Sequence, residues 1–515
     1  MLFSVRRIDS DDAKAFTQSN RTERVRWLEI GNAGRVSNLF QDLFIFRGDA
    51  IFMTEGDVTF TYNDFADHAR RLGAVVRSHG LEPGDRLVVQ MDKSADGFAL
   101  WLGCLAAGIV YVPTNTAYTP DEITYFCNDA GASLLVVDDP SALGDLDVTT
   151  IAASDLVAAA TAADPVAVAD ATDATPAALV YTSGTTGKPK GATLTHGCLR
   201  DNAMALADVW RIQADDILVH SLPIYHVHGL FIALHPTMLR GASVRFLPRF
   251  DATAVCEALD GATVFMGVPT YYHRLLASDT FGPSACSSMR LFTSGSAPMT
   301  ELTHAEFTER TGRQIVERYG MSEAGIITSN RIDGVMAGSV GHALPGYEMR
   351  IVDTNGNTVP AGTTGAVEVR GPSLFAGYWS RPDADAESRS DDGWFATGDV
   401  GSVDATDRLT LEGRSSDMII SGGLNIYPKE IEMVIDAVEG VIESAVVGQP
   451  HQDFGEAVAA YLVLESGAKL SDISLEPALE VLARFKHPKS VHVLGELPRN
   501  AMGKVQKNLL RSNEA

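Results

Sequence analysis

Cysteine, cationic residues and long apolar runs are all scarce in this 515-residue chain, and each scarcity closes off a class of function. The five cysteines, Cys104, Cys127, Cys198, Cys256 and Cys286, are odd in number and scattered, and no CxxC occurs. That pattern argues against a zinc site or a disulfide scaffold and favours a reducing, cytoplasmic setting with free, buried thiols. Lysine and arginine total 41 against 66 aspartates and glutamates, a formal net charge of −25. So acidic a chain is not expected to bind nucleic acid through a general basic surface or to be drawn to anionic membranes. Any phosphate site must be built locally. The longest uncharged run, Phe98 to Pro113, contains Gly103 and Gly108 and falls short of a membrane span, so it reads as a buried helix running into a strand. The N-terminus carries Arg6 and Arg7, then Asp9, Asp11 and Asp12, without the apolar segment of a secretory signal.

What is present is a globular composition, 45% hydrophobic and 21% charged, in a chain long enough for two to four domains. Residues 1 to about 35 read as a mixed-charge helical extension. Thr59 to Asp64 reads as a strand leading into a helix cap, with the helix continuing through Ala66, Leu72, Val75 and Val76. Arg86–Gln90 is strand-like, and such alternation continues to about residue 300. This predicts an α/β fold: a large N-terminal domain of parallel βα layers. Residues 151–176, rich in Ala, Asp and Thr, read as a solvent-facing connection. Beyond about residue 338, short alternating segments such as Tyr347–Val352 and Ala366–Arg370 predict a small antiparallel β region. After Gly413 a compact α+β tail follows, with Pro428 at a helix start and Ile431, Val434, Ile435 and Val438 on one face.

The segment Tyr181-Thr182-Ser183-Gly184-Thr185-Thr186-Gly187-Lys188-Pro189-Lys190-Gly191 packs three glycines, two lysines and four serine or threonine hydroxyls into eleven residues. Glycines let backbone N–H groups approach a ligand, and hydroxyls and lysines suit phosphate oxygens. The buried strand expected at Ala177–Val180 would place this loop at a strand end, where α/β proteins hold ligands. It is not a Walker loop, because Gly184 and Gly187 are too close and Lys188 is followed by Pro189.

Four further segments accompany the loop: Tyr319-Gly320-Met321-Ser322-Glu323, Gly393 to Asp399, Gly413-Arg414-Ser415-Ser416-Asp417, and Pro498 to Lys504. In this order and spacing they resemble the adenylate-forming superfamily of acyl-CoA synthetases, luciferases and peptide-synthetase adenylation domains. The resemblance implies an N-terminal domain over residues 1–413, a hinge at 414–417 and a mobile C-terminal domain over 418–515. It also implies an enzyme, acting as a monomer or homodimer, that takes ATP with Mg²⁺, a small-molecule carboxylate and coenzyme A. By the same resemblance, Thr182, Ser183, Gly184, Thr185, Thr186, Gly187 and Lys188 would hold the ATP phosphates. Ser296, Ala297, Tyr319, Gly320, Met321 and Ser322 would line the adenine side. Asp399 and Arg414 would bind ribose, Thr185 and Glu323 would meet the metal, and Lys504 would be the adenylation lysine. Catalysis would rest on Lys504, Glu323 and Thr185. Ser421-Gly422-Gly423 resembles the loop bordering the pantetheine tunnel of CoA. Ser416 departs from the Lys or Asp common in the family's hinge.

The acid is read from Leu222–Leu230 and Gly267–Leu276, which are most similar to the malonyl-CoA synthetases. A buried arginine beside a small pocket would select a dicarboxylate, since with a monocarboxylate its charge would stay unpaired. By that resemblance Arg274, Ser296 and His226, with Met321 bordering the site, would face malonate or methylmalonate. Ser322-Glu323-Ala324 departs from the Thr-Glu-Thr usual in malonate enzymes. Another short- or medium-chain acyl-CoA synthetase, or a stand-alone carrier-loading adenylation enzyme, is the alternative.

Overall fold

The computed structural model describes residues 37–511, apart from 46–47, 145, 183–188, 422–423, 452–454, 483 and 501–503. The N-terminal extension thus lies outside the described residues. Two large sheets dominate. In the first, parallel neighbours Ser243–Phe246, Ile217–His220, Val264–Gly267, Leu291–Ser294 and Ile315–Met321 form the centre of nine strands. In the second, of seven strands, Pro176–Thr182, Val110–Pro113, Arg86–Gln90, Leu134–Val137 and Thr150–Ala152 run parallel.

Local sequence explains the elements that connect them. Thr61 caps the helix Tyr62–Ser78 in a reciprocal capping box with Asp64. The uncharged run resolves into the helix Ala95–Ala107, a left-handed Gly108 at φ 74° and the strand Val110–Pro113. That helix crosses Tyr62–Ser78 so closely that a Cβ on Gly103 would lie 2.3 Å from the Ala69 carbonyl oxygen. Phe52, Tyr62, Phe65, Phe98 and Trp101 fill the core around the crossing. All five cysteines are buried and free. Among the described residues no helix is long and apolar enough to cross a membrane.

The expected connection over residues 151–176 is largely exposed or half-buried, and it also carries a helix and is tied to the core. Within residues 151–176 the chain forms the helix Ala153–Ala160, then is stitched down by Val166 N–H to the Arg70 carbonyl (3.1 Å) and Ala169 N–H to the Ala106 carbonyl (2.7 Å).

The expected β region is a four-stranded antiparallel sheet of Glu348–Val352, Gly365–Arg370, Phe395–Val403 and Leu409–Arg414. The smaller C-terminal unit is a five-stranded sheet centred on the Val441–His451 and Gly455–Leu464 pair. The helix Pro428–Asp436 packs Ile431 and Ile435 into its core.

Candidate active site

The strands Pro176–Thr182 and Lys190–Thr195 pair antiparallel and bracket the phosphate-type loop. Ser183, Gly184, Thr185, Thr186, Gly187 and Lys188 lie outside the described residues, but the mouth of the loop is well placed. Thr182 Oγ1 donates to Glu323 Oε1 at 3.1 Å, and the Tyr378 hydroxyl donates to the same oxygen at 3.1 Å. Glu323 is buried, in the turn between the paired strands Ile315–Met321 and Gly325–Ser329. That hairpin needs Gly320, because a Cβ there would fall 2.1 Å from the Gly325 carbonyl oxygen. Both hydrogen bonds to Glu323 go to Oε1, and none to Oε2 is seen among the described residues.

A second cluster sits on the same hairpin. The Tyr319 hydroxyl donates to Asp399 Oδ2, and Arg414 Nε holds Asp399 Oδ1 at 2.7 Å. Asp399 and Arg414 face each other across the strands Phe395–Val403 and Leu409–Arg414, so the sheet register sets the pair. Burial pushes the Asp399 carboxyl above its ordinary range, while Arg414 and the Tyr319 hydrogen bond pull it back. Burial and the Asp399 charge push the Tyr319 phenol far up, which keeps it a neutral donor.

Lys504 reaches this cluster from the C-terminal unit. It sits in a turn in which its N–H donates to Asn500 Oδ1 (3.0 Å) and the Asn500 N–H donates to its carbonyl (2.9 Å). The residue as a whole is exposed, yet its ammonium end is desolvated. Burial first and Arg414 next lower its pKa, against the pull of Asp399 and Glu323. Arg414, Ser415 and Asp417 form the end of a strand and a short helical turn, where the hinge is expected. Ser421 ends the strand Ile419–Ser421, and Gly422 and Gly423 lie outside the described residues.

The residues expected on the acyl side lie at the end of the strand Leu291–Ser294, on the helix Pro269–Leu276 and in the turn that leads into the π-helical segment His228–Ala233. Ser296 has φ 71°, a left-handed conformation uncommon outside glycine and typical of functional turns. Its Oγ lies 3.4 Å from His228 Nδ1, and the His228 N–H donates to His226 Nδ1 at 3.2 Å. Burial, with Lys504 and Arg318 nearby, pushes His226 down to about 3, and burial holds His228 well below its usual value. Both are neutral hydrogen-bonding groups near neutral pH, not cations. Ala297, Met321 and Ser322 are half-buried around the same opening.

Arg274 is not the buried cation that the sequence reading expects. It is exposed, because the helix Pro269–Leu276 turns Tyr272, Leu275 and Leu276 inward. The buried cation is Arg318, only 5% exposed, which the sequence reading missed. Its Nε and Nη2 have no hydrogen-bond partner, and no ion pair reaches it, among the described residues. The signal was available: Glu317 and Arg318 are charged in a strand that begins Ile315-Val316 and is otherwise buried. Glu317 is accounted for by His304 Nε2 at 2.9 Å, and Arg318 is not. Tyr378, the second clamp on Glu323, was also missed, and no motif marked it.

This arrangement, a buried glutamate at the mouth of a phosphate-type loop and a buried aspartate held by Tyr319 and Arg414, has known counterparts. Residues 46–379 match the family described as AMP-binding enzyme, and residues 430–504 match its C-terminal domain. An indoleacetate–CoA ligase of Aromatoleum aromaticum is 34% identical over 485 residues, covering 90% of this chain and 94% of the relative. A malonate–CoA ligase of Arabidopsis thaliana is also 34% identical, over 477 residues, covering 84% and 78%. The crystal structure of ATP-bound MatB from Rhodopseudomonas palustris superposes with a TM-score of 0.89 at 42% identity, covering 93% of this chain and 99% of that one. The chain belongs to the AMP-binding enzyme family and is an adenylate-forming acid–CoA ligase.

Proposed function

We propose that this ligase acts on a small dicarboxylic acid, malonate or methylmalonate. The observation that carries the reading is the unbalanced cation on the acyl side: neither exposed Arg274 nor buried Arg318 has a carboxylate partner among the described residues. A substrate with a second carboxylate supplies that partner, whereas a monocarboxylate leaves a buried cation unpaired. The likeness to the malonate–CoA ligase of Arabidopsis thaliana supports it.

In this scheme one substrate carboxylate oxygen attacks the α-phosphorus of ATP, the bond to the bridging oxygen breaks, and pyrophosphate leaves. The CoA thiol then loses its proton and attacks the acyl carbon, and AMP leaves with the electron pair. Lys504, whose charge interacts with those of Asp399 and Glu323, would stabilise charge developing in the first step. Asp399, Arg414 and Tyr319 would fix the nucleoside, with Ser296, Ala297, Gly320, Met321 and Ser322 around it. Thr182 and the loop through Lys188 would hold the phosphates. The open Glu323 oxygen, beside the Thr182 hydroxyl, suits Mg²⁺, which prefers few protein oxygens plus substrate phosphates. Bound there, Mg²⁺ would neutralise phosphate charge. Rotation about 414–417 would bring Ser421, Gly422 and Gly423 to the thiol.

The equal identity to an indoleacetate–CoA ligase favours a second reading, a monocarboxylate substrate. Substrate-dependent pyrophosphate exchange separates the two. Malonate and methylmalonate should exceed acetate, hexanoate and indoleacetate, and a clear preference for any monocarboxylate would sink the dicarboxylate reading.

A further inference from the structure

The side chain of Asp129 is only 9% exposed and has no part in the scheme above, yet three pieces of the site converge on it. It lies on the helix Pro120–Ala130, four residues after Tyr125, so the two side chains share one helix face. Tyr125 donates its hydroxyl to the Pro189 carbonyl at 2.7 Å, and the Tyr181 hydroxyl donates to Asp129 Oδ2 at 2.8 Å. Tyr181 and Pro189 flank residues 182–188, the segment proposed to hold the ATP phosphates. One helix face therefore grips both stems of that segment. Arg86 fixes the helix in turn, donating to the Ala130 and Gly131 carbonyls at its end.

The other oxygen of Asp129 is taken by Arg381 Nη2. Arg381 closes a tight turn in which its N–H donates to the Tyr378 carbonyl at 3.1 Å and Ser380 is left-handed at φ 53°. A left-handed serine costs free energy that the surroundings must offset, and here the turn delivers Arg381 to Asp129. The two oxygens of Asp129 thus lead to the two donors on Glu323. Tyr181 adjoins Thr182, Arg381 ends the turn begun by Tyr378, and Thr182 and Tyr378 both donate to Glu323 Oε1. Burial first, and then the bond to Asp129, push the Tyr181 phenol up, so it stays a neutral donor.

We propose that Asp129 is a positioning residue for adenylation, acting through Tyr181 and Arg381 to hold the phosphate segment and the Glu323 donors in one arrangement. A carboxylate can accept from two elements at once, one on each oxygen, which an amide or an apolar side chain cannot do. Phosphoryl chemistry depends on placement, so a loop stem that slips by about 1 Å loses rate even where the fold survives. The second half-reaction uses neither the β nor the γ phosphate and has no need of the clamp. This inference rests on the reading that residues 182–188 hold the ATP phosphates, and it is independent of which acid is used.

The experiment compares the two half-reactions on the full-length protein, with the acid that wild type uses best. Pyrophosphate-exchange kcat/KM for ATP, and thioester formation from the synthetic acyl-adenylate and CoA, are measured for five proteins. These are wild type, Asp129→Asn, Tyr181→Phe, the double variant and Thr185→Ala. Asp129→Asn should lower the exchange value about 10- to 100-fold and leave thioester formation near wild type. Tyr181→Phe keeps the Arg381 pair and should fall less. The double variant should fall no further than Asp129→Asn, because both changes break the same bond. Arg381 is 41% exposed and can turn to water, so Asp129→Asn is expected to fold. If it does not, Tyr181→Phe alone carries the comparison of half-reactions. Equal loss in both half-reactions, or unchanged exchange in the folded variants, overturns the role of Asp129. Losses that multiply in the double variant overturn the route through Tyr181. Thr185→Ala with exchange at the wild-type value overturns the phosphate reading of residues 182–188 and this inference with it. An impaired Thr185→Ala beside an unimpaired Asp129→Asn overturns this inference alone.

Discussion

Tyr319 and Asp399 are joined across eighty residues by one hydrogen bond, the phenol donating to the carboxylate oxygen that Arg414 leaves free. The bond runs between the two β systems, so the side of the site proposed to hold the nucleoside is set by how they meet. Tyr319→Phe removes the donor that favours ionised Asp399, and the carboxyl, already raised by burial, should rise further. A carboxylate with a raised pKa loses its charge at higher pH. The acid limb of kcat/KM for ATP should therefore move up in pH in the variant, and KM for ATP should rise about 10-fold. An unshifted limb with unchanged KM would show that the bond does not tune Asp399.

Lys504 is expected to serve only the first half-reaction. Lys504→Ala should lower pyrophosphate exchange by about 100- to 1000-fold. Thioester formation from a synthetic acyl-adenylate should be largely retained. Because burial lowers the pKa of Lys504, adenylation should decline as pH rises through a value below the ordinary lysine range. That alkaline limb should be absent from the thioester half-reaction. Equal loss in both half-reactions would contradict the assignment.

The fold was legible wherever one physical signal dominated. Alternation and turn chemistry predicted the antiparallel sheet that ends at Arg414, and Thr61 with Asp64 announced a helix start. In the 151–176 stretch the exposed character was legible, but the helix Ala153–Ala160 and the backbone ties to Arg70 and Ala106 were not, because those partners are distant in sequence. The site was legible as motifs but not as side-chain directions. A three-residue rule cannot say that Tyr272 faces inward and Arg274 outward, since that depends on which side of the helix Pro269–Leu276 meets the sheet. Arg318 went unnoticed for the opposite reason. Its burial follows from strand pairing with Gly325–Ser329 and from the absence of a side chain at Gly295, neither of which is local.

Acid sensitivity of the fold should trace to neutral buried histidines. His235 is wholly buried, accepts from Trp101 Nε1 at 3.1 Å, and is pushed by burial from 6.5 down to about 3. A depressed histidine pKa means that the unfolded chain takes up the proton first. The stability is therefore complete above about 6.5 and drains away as pH falls toward 3. At pH 5 one such group should cost about 2 kcal/mol. His235→Gln can keep the acceptor for Trp101 without the titration. Between pH 7 and pH 5 its urea midpoint should fall less than that of wild type, and equal falls would remove His235 as the source.

Glu323 supplies the last test, because its two oxygens have different partners. Thr182 and Tyr378 both donate to Oε1, which fixes the carboxylate and leaves Oε2 with no hydrogen bond among the described residues. Mg²⁺ needs the charge and the open oxygen, whereas the fold needs only the two hydrogen bonds. Glu323→Gln keeps an oxygen for Thr182 and Tyr378 and removes the charge. It should melt close to wild type while the Mg²⁺ concentration for half-maximal pyrophosphate exchange rises about 10-fold or more. Tyr378→Phe leaves the charge and loosens one anchor, so its Mg²⁺ requirement should rise less. Chelation by EDTA should abolish exchange in every variant and restore with added Mg²⁺. If Glu323→Gln titrates with Mg²⁺ as wild type does, the open oxygen is not a metal contact and the carboxylate serves only to hold the hairpin turn to Thr182 and Tyr378.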